Sequence, residues 1–108
     1  MIAHIVLLQP RADLSAAQRE AALETLRRTA ADVPEIRRVR LGRRVKHGLP
    51  GYERLMAQDF EFALLVEVAD LAALTRYLNA PAHAPLGQLF YTATSSALAY
   101  DFELEDLS

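Results

Sequence analysis

Three histidines and a tyrosine carry most of the acid–base chemistry open to this chain of 108 residues. His83 follows Pro81 at a helix break, where a loop can aim an imidazole into a cavity. Imidazole titrates near neutral pH, so a modest environmental shift suits it to accept a proton as a general base. The competing reading is a structural histidine that holds a helix end through a backbone carbonyl. Tyr77 lies six residues earlier, and its hydroxyl can donate to a substrate carbonyl and stabilise a developing enolate. Alone, it reads equally as a core aromatic with a wet tip. His4 shares a strand face with Ile2, Val6 and Leu8, which favours a hydrogen-bonded core residue, with orientation of His83 or substrate binding as the sharper role.

Other chemistries are poorly served. There are no cysteines, which removes disulfides, thiolate nucleophiles and cysteine-based zinc or iron–sulfur sites. His4, His47 and His83 have no metal-ligand spacing, so no metal is expected. No glycine-rich phosphate loop is present, and no cofactor is expected. A net charge of −2 argues against a general nucleic-acid binder. The apolar start Met1-Ile2-Ala3-His4-Ile5-Val6-Leu7-Leu8 lacks a basic flank and is interrupted by His4, a poor signal peptide. No run approaches the ~20 apolar residues of a membrane helix, so no membrane association and a cytoplasmic location are expected.

The elements that must position these side chains follow from periodicity. Residues 2–8 form a strand apolar on both faces, closed by Pro10. Ser15 and Gln18 make a capping-box pattern, opening a helix whose Ala17, Ala21, Ala22, Leu26, Ala30 and Val33 are expected to face a sheet, with Pro34 as the stop. Residues 36–45 read as a strand with Ile36, Val39 and Leu41 set among arginines, and Gly42 as a candidate bulge. Residues 46–59 form a long loop. Residues 60–69 alternate cleanly: Phe60, Phe62, Leu64, Val66 and Val68 on one face, Glu61, Ala63, Leu65 and Glu67 on the other. Asp70 caps a short helix carrying Leu71, Leu74 and Leu78, broken at Asn79-Ala80-Pro81, and residues 82–92 form a further helical segment. Residues 96–104 are a last strand, with Leu98, Tyr100, Phe102 and Leu104 on one side and Asp101 and Glu103 on the other. The order β-α-β-β-α-β predicts one α+β domain over residues 1–108, a ferredoxin-like four-stranded antiparallel sheet.

Three segments narrow this arrangement. They are Met1-Ile2-Ala3-His4-Ile5-Val6-Leu7, then Tyr77-Leu78-Asn79-Ala80-Pro81-Ala82-His83, then Tyr100-Asp101-Phe102. Together, in order, they resemble the stress-responsive dimeric α/β-barrel family over nearly the whole chain. The resemblance implies a homodimer whose two sheets form a shared barrel, and a cavity in each subunit between sheet and helices. The family includes a plant polyketide cyclase, and the residues matching its working tyrosine and histidine are Tyr77 and His83; a histidine in its first strand matches His4. Ala80 departs from the pattern, standing where many members carry a second histidine.

Six basic residues crowd positions 37–46: Arg37, Arg38, Arg40, Arg43, Arg44 and Lys46. A solvated strand edge is the expected meaning. A cationic rim for anionic ligands, or ion pairs to the acidic C-terminus across a dimer, are the alternatives. Tyr52, Leu55 and Met56 in the long loop can form a mobile cover or pack on a partner subunit. Function then divides three ways. The first is a cofactor-free acid–base enzyme, cyclase- or isomerase-like, acting on a small hydrophobic or aromatic carbonyl compound, with His83 as base, Tyr77 holding the oxygen and His4 binding substrate. The second is a non-catalytic dimer for ligand binding or stress response. The third, by analogy of fold alone, is a cofactor-independent monooxygenase.

Overall fold

A computed structural model describes all residues, 1–108. Four strands, β1 (Ile2–Pro10), β2 (Ile36–Arg43), β3 (Phe62–Val68) and β4 (Thr94–Glu103), form one antiparallel sheet in the order β2-β3-β1-β4. Helices α1 (Ala16–Asp32), α2 (Leu71–Asn79) and α3 (Ala84–Thr92) complete a ferredoxin-like α+β fold. The chain measures 41 × 40 × 17 Å. Packed layers lie roughly 10 Å apart, so the short dimension accommodates the sheet and one layer of helices.

The core is the helix-covered face. Val6 and Leu8 of β1 meet Phe62, Leu64, Val66 and Val68 of β3, with Leu26, Leu74, Tyr77 and Leu86 packed above them. The opposite face stays open. Ile5, Leu7 and Leu65 are half-buried there, while Leu98, Tyr100 and Phe102 of β4 are exposed.

Local signals place the helix starts. Ser15 Oγ accepts from the Gln18 amide at 3.1 Å, and Gln18 Oε1 accepts from the Ser15 amide at 2.8 Å, closing both halves of the capping box. Asp70 Oδ1 accepts from the Ala73 amide at 2.8 Å. Tertiary packing overrides other expectations. Of the side chains expected to face the sheet, Leu26 and Val33 are buried, but Ala17 and Ala21 are exposed and Thr29 is buried as well; the Thr29 hydroxyl is satisfied by donating to Thr25 O at 3.0 Å. On α2 the buried stripe is Ala73, Leu74 and Tyr77, while Leu71 and Leu78 are exposed, because the helix turns its largest side chain toward the sheet.

The bulge in β2 lies between Ile36 and Arg38, not at Gly42, which pairs regularly with Ala63. Residues three apart fall on opposite faces of an unbroken strand. The irregularity absorbs one residue, so Ile36 and Val39 both pack against the core. The strand ends at Arg43, and the loop beyond it includes a single 3-10 turn, Glu53–Met56.

Candidate functional site

His4, Tyr77 and His83 come from three different elements and meet on the helix-covered side of the sheet. His4 is 7% exposed on β1, where alternation directs it toward the helices alongside Val6. Tyr77 lies in the last turns of α2 and is 1% exposed. Its ring meets that of His4 edge-on, with centroids 5.8 Å apart at 71°.

His83 reaches the same place through a proline-directed turn. Ala80 is held extended, at φ −65° and ψ 139°, the conformation favoured before proline. Pro81 then opens a 3-10 turn, Pro81–His83, closed by the His83 amide donating to Ala80 O at 2.9 Å. His83 makes no side-chain capping bond. Its ring lies 5.0 Å from that of Tyr77 at 77°. Tyr77 thus stands between the two imidazoles, contacting both edge-on.

Asp101 is the member that sequence reasoning overlooked. Its Oδ1 lies 2.6 Å from His4 Nδ1, and it faces His4 directly in the β1–β4 register. An ionised carboxylate only accepts, so Nδ1 carries the proton of this bond and Nε2 is the ring nitrogen left over. The signal was available. A ferredoxin-like order places the first and last strands side by side, and antiparallel pairing then carries the carboxylate of the Tyr100-Asp101-Phe102 segment toward the N-terminal histidine.

Burial shifts the pKa values of the other two groups in opposite directions and so keeps both neutral. Desolvation of the half-buried His83, with a further contribution from His4 nearby, holds its pKa below 6.5. Neutral imidazole is therefore its dominant form at neutral pH. Burial pushes the Tyr77 phenol up to about 12, so it remains a protonated donor. No group of three or more His, Cys, Asp or Glu side chains gathers in a metal-binding arrangement.

None of the three principal cavities is lined by His4, Tyr77 or His83. The one under the helices, about 280 Å³, lies around Leu8, Leu26, Phe62 and Leu86. Leu8 is four residues beyond His4, about 13 Å along the strand. Leu86, one helical turn after His83, is where the two regions approach.

The basic segment divides. β2 is an edge strand, and Arg37, Arg38 and Arg40 are exposed along it. Arg44 pairs with Asp59 at 2.8 Å. Arg43 lies over the Phe62 ring, 5.2 Å from its centroid. In the long loop, Leu55 and Met56 flank a groove shared with Leu7, Ala63 and Leu98 of the open sheet face. No helix is long and apolar enough to cross a membrane.

Comparison with known proteins places this fold. No curated protein matches the chain. The solved structure of At3g17210 from Arabidopsis thaliana superposes with a TM-score of 0.82 at 15% identity, covering 100% of this chain and 99% of that one. A hydroxynitrile lyase from Passiflora edulis gives 0.81 at 16% identity, covering 99% and 95%. A protein from Thermobifida fusca, described as dimeric, ferredoxin-like and of unknown function, gives 0.74 at 19% identity, covering 95% and 90%. Identities this low establish a shared fold. The family match is direct: residues 2–104 fit the Stress responsive A/B Barrel Domain, and the chain belongs to that family.

Proposed function

We propose that this protein is a homodimeric, cofactor-free acid–base enzyme acting on a small hydrophobic carbonyl compound. The observation that carries the reading is the contiguous set Asp101–His4–Tyr77–His83, with a neutral imidazole beside a protonated phenol. Of the two histidines in this set His83 is the less covered, and it takes the proton from the carbon next to the carbonyl. Tyr77 donates its hydroxyl to the oxygen as negative charge develops there. His4, fixed by Asp101, supports the Tyr77 ring and offers its remaining nitrogen to a polar substrate group. The enolate electron pair is then quenched by a proton delivered at the oxygen or at a conjugated carbon, giving tautomerisation, or by attack of the carbon on a second carbonyl, giving ring closure. The hydroxynitrile lyase of similar fold is in keeping with chemistry at a carbonyl carbon on this scaffold.

The dimer belongs to the same reading. Leu98, Tyr100 and Phe102 form an exposed apolar row on the open sheet face, next to half-buried Ile5 and Leu7. A second copy covers this row most simply, sheet against sheet, as the dimeric relatives suggest.

The test is proton exchange at carbon. Phenylacetone in heavy water, followed by NMR, reports deuterium entry next to the carbonyl without requiring the natural substrate. The parent protein should accelerate exchange, and His83→Ala should lose the acceleration while keeping melting temperature and dimer mass. Equal exchange by both proteins overturns the role of His83. If His83→Ala fails to fold, His83→Gln, closer in size and still polar, makes the same comparison.

A second reading, a non-catalytic binder of small ligands, is favoured by one observation: the 280 Å³ cavity is separate from the histidines. Absence of exchange by the parent protein, together with saturable ligand binding, would select it.

A further inference from the structure

The cavity beneath the helices is floored by Leu8 and Phe62 and walled by Leu23 and Leu26 of α1 and Leu86 and Phe90 of α3. Eleven of its sixteen lining residues are hydrophobic. Its volume of about 280 Å³ lies just below the usual range of ligand sites, which starts at roughly 300 Å³, and so suits a small ligand. Charge enters the lining only at Arg19, Glu20 and Arg43. These are not equivalent. Arg19 is committed to the Glu61 carboxylate. The next arginine on the other side, Arg44, is committed to Asp59. Arg43 is paired with neither carboxylate and lies over the Phe62 ring that floors the cavity.

From this arrangement we infer a binding site for a medium-chain aliphatic or aryl-alkyl carboxylate, its tail in the apolar cavity and its carboxylate on Arg43. The guanidinium offers a planar fork of N–H donors that matches a carboxylate. The ring beneath it favours a fixed position through cation–π attraction. Glu20 at the same rim is committed to Arg27, at 3.1 Å, which leaves Arg43 as the charged group free to take the ligand. The site does not depend on proton transfer at His83, because binding is read here without turnover.

Calorimetric titration of the intact protein with hexanoate, octanoate, decanoate and 1-octanol, each below its aggregation limit, tests the inference. Affinity should rise about three- to fourfold per methylene along the carboxylates until the cavity is filled. Octanoate should bind more tightly than 1-octanol. Arg43→Gln should weaken octanoate by about two- to fivefold, a range set by the exposure of Arg43, and leave 1-octanol unchanged. Ala22→Phe, which adds a ring to the cavity wall, should abolish binding of both while the melting temperature shows a folded protein. The inference is overturned if no carboxylate binds saturably, if the alcohol binds as well as the acid, or if Arg43→Gln alters both alike. It is equally overturned if folded Ala22→Phe still binds octanoate, which would put the ligand elsewhere.

Discussion

His4 Nδ1 lies 2.6 Å from Asp101 Oδ1, and the two residues are direct partners across the β1–β4 ladder although 97 positions separate them. The bond sets which ring nitrogen of His4 carries hydrogen, and so what His4 can offer to Tyr77 and to any substrate beside it. Asp101→Asn keeps a similar shape but removes the charge and lets an amide hydrogen face the ring. The expected cost is about 1 kcal/mol. A charged hydrogen bond contributes more when buried, but the Asp101 side chain is 40% exposed and solvent screens it. Ring-nitrogen NMR of His4 should show a loss of the fixed Nδ1–H form. An unchanged tautomer and unchanged urea midpoint would remove Asp101 from the site.

His83 supplies a pH signature with a defined sign. Its folded-state pKa is depressed below 6.5, by desolvation first and by His4 second. The unfolded chain therefore binds more protons in the window between the folded value and 6.5, and stability falls as pH drops through that window. Above 6.5 the imidazole is neutral in both states and this contribution is present in full. Urea unfolding across pH 5 to 7.5 should show the decline, and His83→Gln should flatten the part of it due to this residue. A histidine NMR midpoint for His83 above 6.5 would contradict the burial seen here.

The parts legible in the sequence share one property: they are local. Ser15 with Gln18, and Asp70 with Ala73, are contacts three residues apart that need only a helix to form. Alternation along residues 62–68 likewise displays its buried face without outside help. Expectations failed where partners far along the chain decide. The choice of Tyr77 over Leu78 as the inward residue is made by how α2 packs on the core it shares with β1 and β3. The bulge at Ile36/Arg38 exists because β3 holds both Ile36 and Val39 on the core side. Within the site, His4, Tyr77 and His83 stood out by residue type and by the family-like segments. Asp101 did not, because a carboxylate on a terminal strand reads as solvated until the ladder is known. The cavity at Leu8 and Phe62 required α1 and α3 to be in place.

Tyr77 separates packing from chemistry. Tyr77→Phe keeps the ring that contacts both histidines and removes only the hydroxyl, so stability should change by no more than about 1 kcal/mol. Carbon-proton exchange should nevertheless fall by about a hundredfold, the scale for losing one aligned oxyanion donor. Tyr77→Ala should instead cost about 3–5 kcal/mol, as expected for emptying a core aromatic site. Ultraviolet titration offers an independent check: the parent should show a phenol ionising near 12, absent from Tyr77→Phe. Full exchange activity in Tyr77→Phe would leave the ring with a packing role alone.

The open sheet face makes the final prediction. Phe102 is 52% exposed on the outermost strand and pairs across the ladder with Ala3, on the side away from the helices. In a sheet-against-sheet dimer, an arginine there must be buried opposite apolar neighbours without a partner, which costs several kcal/mol and falls on both copies at once. In the separated subunit the same arginine is solvated and costs little. Light scattering of Phe102→Arg should therefore give a mass near 12.0 kDa, against twice that for the parent, with the secondary structure of the subunit retained. A parent that scatters as a monomer at micromolar concentration, or a Phe102→Arg variant that remains a full dimer, would place the interface somewhere other than this face.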